Sequence, residues 1–204
     1  MMQQFEEYRA DKEIEIKLKL DENNLIILER WLKDNAIYTQ EDTQEEYYLN
    51  PQDLSWFKTH PEGYKYALQY LRVRISPFGD TLCYKDWTSS VNSDATALYC
   101  TEKEVNITDG YKMLELLKCL GYSNCTTFKK RRQNFTYNNI EISIDTVDNL
   151  GVFVEFEIKK RTYKEDLEEY AALKNFINSI GFSKYHIQTQ GFIILLWNPD
   201  FNWT

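Results

Sequence analysis

Residues 13–20 read Glu13-Ile14-Glu15-Ile16-Lys17-Leu18-Lys19-Leu20. The alternation is strict. Successive side chains of a β-strand point to opposite faces. Ile14, Ile16, Leu18 and Leu20 therefore share one face, and Glu13, Glu15, Lys17 and Lys19 share the other. One strand presents two carboxylates and two ammonium groups on a single surface. The pattern recurs along the chain. In LRVRI, Arg72 and Arg74 oppose Leu71, Val73 and Ile75. Lys85 is in phase with Cys83 and Trp87. Glu102 and Glu104 oppose Lys103, Val105 and Ile107, and Lys130 shares a face with Arg132. Glu141, Ser143 and Asp145 oppose three isoleucines, while Glu155 and Glu157 oppose Val154, Phe156 and Ile158.

Two arrangements satisfy this pattern. The default for antiparallel sheet puts the charged faces in water and packs the apolar faces inward. The alternative curls the sheet so that the charged faces converge and the apolar faces pack outward under helices. The charges sort by strand into an Arg pair, two Glu pairs and a Lys/Arg pair, which favours convergence. Repeated polar residues at inward positions are justified only by function. Carboxylates suit hard divalent cations such as Mg²⁺ or Mn²⁺. Arg and Lys suit phosphate oxygens. Together they suit a polyphosphate bridged to metal.

The remaining chain supplies the elements. Residues 23–35 are expected to form a helix capped by Asn23 or Asn24, and residues 37–49 contain a second strand. Residues 51–63 are read as a loop or insertion. Strands are expected at 68–76 and 80–87, joined by Pro77-Phe78-Gly79-Asp80. The Ser/Asn-rich residues 88–96 read as a loop. A strand at 98–107 precedes a helix from Asp109 to Leu120, stopped by Gly121. Residues 126–137 and 139–147 form a hairpin through Asn138-Asn139, and 152–160 form another strand. Tyr163 to Ile180 reads as an amphipathic helix, with Glu165, Asp166, Glu168 and Glu169 on its solvated face. The tail 185–197 is read as a last strand, although its run FIILLW also fits a packed helix turn. The sum is about eight strands and three helices, an α+β fold around a curved or closed sheet. No linker or internal repeat divides residues 1–204, which are read as one domain.

Composition narrows the function classes. The 204 residues are 43% hydrophobic, 27% charged and 15% aromatic, with a net charge of −8. An acidic chain is a poor general binder of nucleic acid. Four cysteines without CxxC spacing and only two histidines argue against a zinc site. The cysteines read as reduced, in a cytoplasmic protein. The polar N-terminus is no signal peptide, and FIILLW is too short to span a bilayer. Exposed strand and aromatic content leave room for a homodimer. Tyr48 and Trp87 read first as packing residues, with contact to substrate as the other reading. His186 reads as a surface residue.

The order of these segments resembles the CYTH superfamily, or triphosphate tunnel metalloenzymes. Its E-x-E-x-K signature stands at Glu13, Glu15 and Lys17, and its later motifs follow in order: LRVR, the YK with Lys85, the acidic strand with Glu102 and Glu104, and K-x-R at Lys130 and Arg132. NLGVFVEFE resembles the family's GLG-x-F-x-E-x-E segment. The overall likeness is to the bacterial class IV adenylyl cyclase-like branch. Departures are Asn149 for Gly, Phe135 for Tyr, Asp86-Trp87 for Gly-Pro, and Cys100-Thr101 where an Arg is common. The resemblance implies a closed eight-stranded antiparallel β-barrel with flanking helices. It implies that Lys17, Arg72, Arg74, Lys85, Lys130 and Arg132 hold a small-molecule triphosphate. Lys17 and Lys85 are the expected catalytic groups. Glu13, Glu15, Glu104, Asp145, Glu155 and Glu157 are the expected ligands for Mg²⁺ or Mn²⁺, with Glu102 beside them. Lys17 could instead orient the attacking group. Hydrolysis of the triphosphate is the leading expected chemistry. Cyclisation of ATP to cyclic AMP and pyrophosphate, and non-catalytic sensing of a nucleotide or polyphosphate, are the alternatives.

Overall fold

The computed structural model describes residues 12–52, 56–87, 100–160, 162 and 165–203. The loop expected at 88–96 lies outside the described residues. The strands are β1 (Lys12–Glu13), β2 (Glu15–Lys19), β3 (Ile37–Pro51), β4 (Phe57–Thr59), β5 (Lys65–Ala67), β6 (Gln69–Ile75), β7 (Asp80–Asp86), β8 (Cys100–Ile107), β9 (Tyr122–Tyr137), β10 (Ile140–Val147) and β11 (Gly151–Ile158). The helices are α1 (Glu22–Asn35), α2 (Gly110–Cys119), α3 (Asp166–Ser179) and α4 (Phe192–Trp197).

The main sheet runs in the order β1-β8-β7-β6-β3-β9-β10-β11-β2, with antiparallel neighbours throughout. Only Ile14 separates β1 from β2, so one length of chain stands at both ends of the order. Counted as one strand, it makes an eight-stranded sheet curled on itself. Among the described residues β1 meets β8 through two registered pairs, Lys12 with Thr101 and Glu13 with Cys100. The sheet is therefore the expected eight-stranded antiparallel curl with flanking helices, a half-barrel and not strictly closed.

The apolar faces pack outward. Ile14, Ile16, Leu18, Ile142, Ile144, Val154 and Phe156 form one core with Leu28 and Leu32 of α1 and Leu173 and Ile177 of α3. A second outer core joins Leu49 and Val73 to Leu117 of α2. Each such aliphatic side chain contributes about 1.5–3 kcal/mol on burial. Helices thus cover the side that an ordinary sheet would turn to its own core, and the charged faces are left to converge. A third cluster fills one end of the enclosed space: Tyr48, Tyr70, Phe128, Val147 and Phe153 pack against Phe192 to Leu195 of α4.

Four expectations are revised. The cap of α1 is Asp21, whose Oδ1 accepts from the N–H of Asn24 at 2.7 Å; Asn24 is instead buried and donates to the carbonyl of Lys184. The tail makes a single bridge, Leu18 with Ile187, and then turns into α4; it adds no strand. The stretch 51–63 read as a loop or insertion contains β4, which pairs with β5 just beyond it in a small two-stranded sheet. Glu169 is buried and accepts from the Thr162 N–H, off the solvated face of α3. Asn149 has a φ of 64°. Asn accepts this left-handed conformation more readily than other non-glycine residues, which explains how it replaces Gly there.

Candidate active site

The inward faces enclose a cavity of about 220 Å³. Seven cationic side chains line it: Lys17, Arg72, Arg74, Lys85, Lys130, Arg132 and Lys159. Eight carboxylates join them: Glu13, Glu15, Glu46, Glu102, Glu104, Glu141, Glu155 and Glu157. All six expected cations and five of the six expected metal ligands are therefore together. Asp145 stands behind this lining. It is fully buried, accepting from Arg132 Nε at 2.7 Å, Arg132 Nη2 at 2.5 Å and Lys130 Nζ at 3.2 Å.

The registers explain the convergence. Glu155 of β11 pairs with Lys17 of β2, and Glu157 with Glu15 and Glu141. Asp145 pairs with Arg132, Glu46 with Arg74, Tyr48 with Arg72, and Lys85 with Glu102. Directly opposed side chains lie within contact range across a sheet. Lys17 Nζ reaches Glu155 Oε1 at 2.9 Å and lies 4.4 Å from the centre of the Phe192 ring. Arg132 also bridges to Glu155. Lys85 joins Glu13 at 2.7 Å and contacts Glu102. Arg72 Nη2 reaches Glu104 at 3.0 Å and Glu102 at 3.6 Å. Arg72 Nε has no hydrogen-bond partner among the described residues, so the resident carboxylates do not use all its donors.

Charge is distributed unevenly. Burial would raise the Glu46 and Glu155 carboxyls, but the surrounding cations outweigh it and hold both well below the usual range. Glu102 is likewise lowered to about 2, with Lys85 opposing burial. Glu13 and Glu15 are raised, chiefly by burial against the pull of Lys85. Glu157 is pushed up to about 7, by burial and then by Glu13. Glu13 is paired with Lys85 at 2.7 Å and Glu157 with Lys159 at 2.9 Å, two cations for three carboxylates, and a divalent cation would supply the remaining charge. Burial pushes the nearby Cys83 thiol up to about 12 and Cys100 up as well. The donors remaining at neutral pH are carboxylate oxygens, which suit Mg²⁺ or Mn²⁺ better than thiophilic metals.

The lysines differ in what their partners do. Burial lowers Lys17 and Lys85, but their carboxylate partners raise them above the normal value overall. Lys130 is lowered, by burial first and then by Arg132, against the pull of Asp145 and Glu46. Tyr48 and Trp87 both pack in the end cluster and line the cavity, so the two readings of each are compatible. His186 is exposed.

Sequence reasoning missed several lining residues. Glu46 is the main one: it is 1% exposed and contacts Arg72, Arg74 and Lys130. Its signal was its phase with Tyr48, obscured because both faces of 39–46 are polar. Tyr170, Ile187, Gln188, Thr189, Gly191 and Phe192 approach from the C-terminal part of the chain. The Gln188 N–H donates to the Lys17 carbonyl at 2.7 Å and fastens this segment to the first strand.

Among the described residues, no helix is long and apolar enough to cross a membrane. A protein of Methanocaldococcus jannaschii, named as a candidate adenylate cyclase, is 27% identical over 183 residues, covering 90% of this chain and 97% of the relative. The solved structure of the PH1012 protein of Pyrococcus horikoshii is similar with a TM-score of 0.68 at 20% identity, covering 89% of this chain and 97% of that one. A Hippeastrum structure, described as a candidate adenylyl cyclase with a dominant triphosphatase activity, gives a TM-score of 0.64 at 13% identity, covering 94% and 97%. The curled sheet and its convergent charges agree with a match to the CYTH domain over residues 11–184, and the chain belongs to that family.

Proposed function

We propose that this protein is a divalent-metal-dependent enzyme that hydrolyses a triphosphate. The observation that carries the reading is the enclosure of seven cations and eight carboxylates in one cavity. A triphosphate bears several negative charges that Arg72, Arg74, Lys130 and Arg132 can hold, with Lys17 and Lys85 flanking them. Phosphoryl transfer depends on positioning and on stabilising charge that spreads over the transferred group. Buried cations fixed by carboxylates supply that without reorganising. Lys17 and Lys85, raised by their partners, act as charges and not as bases at neutral pH.

Mg²⁺ or Mn²⁺ would be held by Glu13, Glu15 and Glu157, with Glu102 beside Glu13, and Glu104 and Glu155 completing the expected set. The metal, when bound, supplies Lewis-acid neutralisation of phosphate oxygens. Asp145, the sixth expected ligand, is engaged by Arg132 and Lys130, and we assign it to aligning those cations.

A second reading is adenylyl cyclase chemistry, with a ribose hydroxyl attacking the α-phosphorus and pyrophosphate leaving. It is favoured by the name of the 27% identical relative and by the lining rings of Tyr70 and Trp87, which offer a surface for a base. We include in the proposal a cytoplasmic setting, which free Cys83, Cys100, Cys119 and Cys125 suit, and a homodimer, checked by light scattering. The functional test is phosphorus NMR with mass spectrometry on ATP, GTP, thiamine triphosphate and tripolyphosphate in Mg²⁺. Orthophosphate release supports hydrolysis and names the substrate. Cyclic nucleotide with pyrophosphate would replace it with the cyclase reading, and binding without turnover would replace both with a sensor.

A further inference from the structure

Glu46 differs from every other carboxylate of the cavity. It is 1% exposed, and it faces three cations on two strands, Arg72 and Arg74 of β6 and Lys130 of β9. Its Oε1 accepts from Arg74 Nε at 3.1 Å and lies 3.1 Å from Arg74 Nη2, 3.2 Å from Lys130 Nζ and 3.7 Å from Arg72 Nη1. Its Oε2 accepts from the Tyr48 hydroxyl at 3.0 Å. Both oxygens are committed, one to three cations and the other to a buried phenol, so little is left to offer a metal. The three cations are those that line the cavity beside Arg132.

We propose that Glu46 is an internal counter-anion: it keeps Arg72, Arg74 and Lys130 aligned while the cavity is empty, and it sets how tightly a polyphosphate is held. This inference rests on the triphosphate reading of the cavity. The physical argument is one of charge balance. Three cations that are 7%, 15% and 2% exposed repel one another, and a single buried carboxylate offsets that repulsion. When a polyphosphate enters, its oxygens provide the same compensation from the other side, and the charge of Glu46 then opposes the ligand. Glu46 therefore trades anion affinity for an ordered empty site. It is a positioning residue and touches no reacting atom.

The test is calorimetric titration of inorganic tripolyphosphate into the full chain in EDTA. Glu46→Gln keeps the shape and removes the charge, so it is expected to bind about tenfold tighter than wild type, as one unit charge in a partly screened site implies. Glu46→Asp keeps the charge and is expected to bind like wild type. A purely structural role would lower thermal stability and leave affinity unchanged or weaker. Should Glu46→Gln fail to fold, the pair Glu46→Gln with Lys130→Met removes one charge of each sign; it is expected to recover the affinity that Lys130→Met alone loses. Equal or weaker binding by folded Glu46→Gln, equal tightening by Glu46→Asp, or no recovery in the pair overturns the inference while wild-type binding preserves the functional reading. Absence of wild-type binding to tripolyphosphate or ATP, with Mg²⁺ or without, overturns both.

Discussion

Two groups of carboxylates, in the cavity lining and just behind it, live under opposite conditions. The deeper group, Glu46, Asp145 and Glu155, is ringed by Arg74, Lys130, Arg132 and Lys17. Its side chains are 1%, 0% and 14% exposed. The outer group, Glu13, Glu15 and Glu157, lies where carboxylates oppose one another, Glu15 against Glu157 and Glu157 against Glu141. Cations outnumber needs in the first region and fall short in the second. A cavity polarised in this way asks for an anion on one side and a cation on the other. The same residue type thus has two roles, set by what stands across the strand.

The largest expected effect breaks the deeper group. Asp145→Ala leaves Arg132 and Lys130 facing an empty, fully buried position, and unpairing a buried ion costs about 3–5 kcal/mol. Urea unfolding measures it, and a loss below 1 kcal/mol would show that Asp145 is dispensable to the cluster. Next, Glu155→Gln with Glu157→Gln takes one carboxylate from each region. Mg²⁺-dependent turnover should fall about 10³-fold or more, with the circular dichroism spectrum retained. Unchanged turnover would remove both residues from the site.

A smaller effect sharpens the comparison through pH. Burial pushes the Glu157 carboxyl up to about 7 from its ordinary 4.5. The folded state then binds the extra proton between those values, so ionising Glu157 costs stability as pH rises from about 4.5 through 7. Glu157→Gln should stabilise the metal-free protein by about 1–3 kcal/mol at pH 8 and by little near pH 4.5. Glu102, lowered to about 2, has the opposite sign: its contribution is present above the unfolded value and is lost as pH falls toward 2. Thermal melts across pH separate the two slopes. The smallest effect is the control. Lys129 pairs with Glu45 on the outer surface, 57% exposed, and Lys129→Ala should leave turnover unchanged.

Much of this polarity was legible in sequence because the outer strands alternate cleanly. Ile14, Ile16 and Leu18 have one neighbour type on each side, and so do Val154 and Phe156, which fixed their faces. The convergence of the charged faces needed the resemblance as well, since a single amphipathic strand does not say which face is inside. β3 was opaque. Asp42, Gln44, Glu46 and Tyr48 are buried, yet their outward neighbours Thr43 and Glu45 are also polar, so no apolar period marked the register. Glu46 could be found only by asking what balances Arg72 and Arg74. Phe192 to Trp197 was ambiguous because a short apolar run suits a strand or a helix turn equally. Its packing against Tyr48, Phe128 and Phe153 decides for the helix.

The most direct test is a crystal structure with Mn²⁺ and tripolyphosphate, with manganese located by its anomalous scattering. The account predicts manganese among Glu13, Glu15 and Glu157, with phosphate oxygens on Arg72, Arg74, Lys130 and Arg132. Phosphates bound outside the cavity, or manganese held by the deeper Glu46 and Asp145, would contradict it.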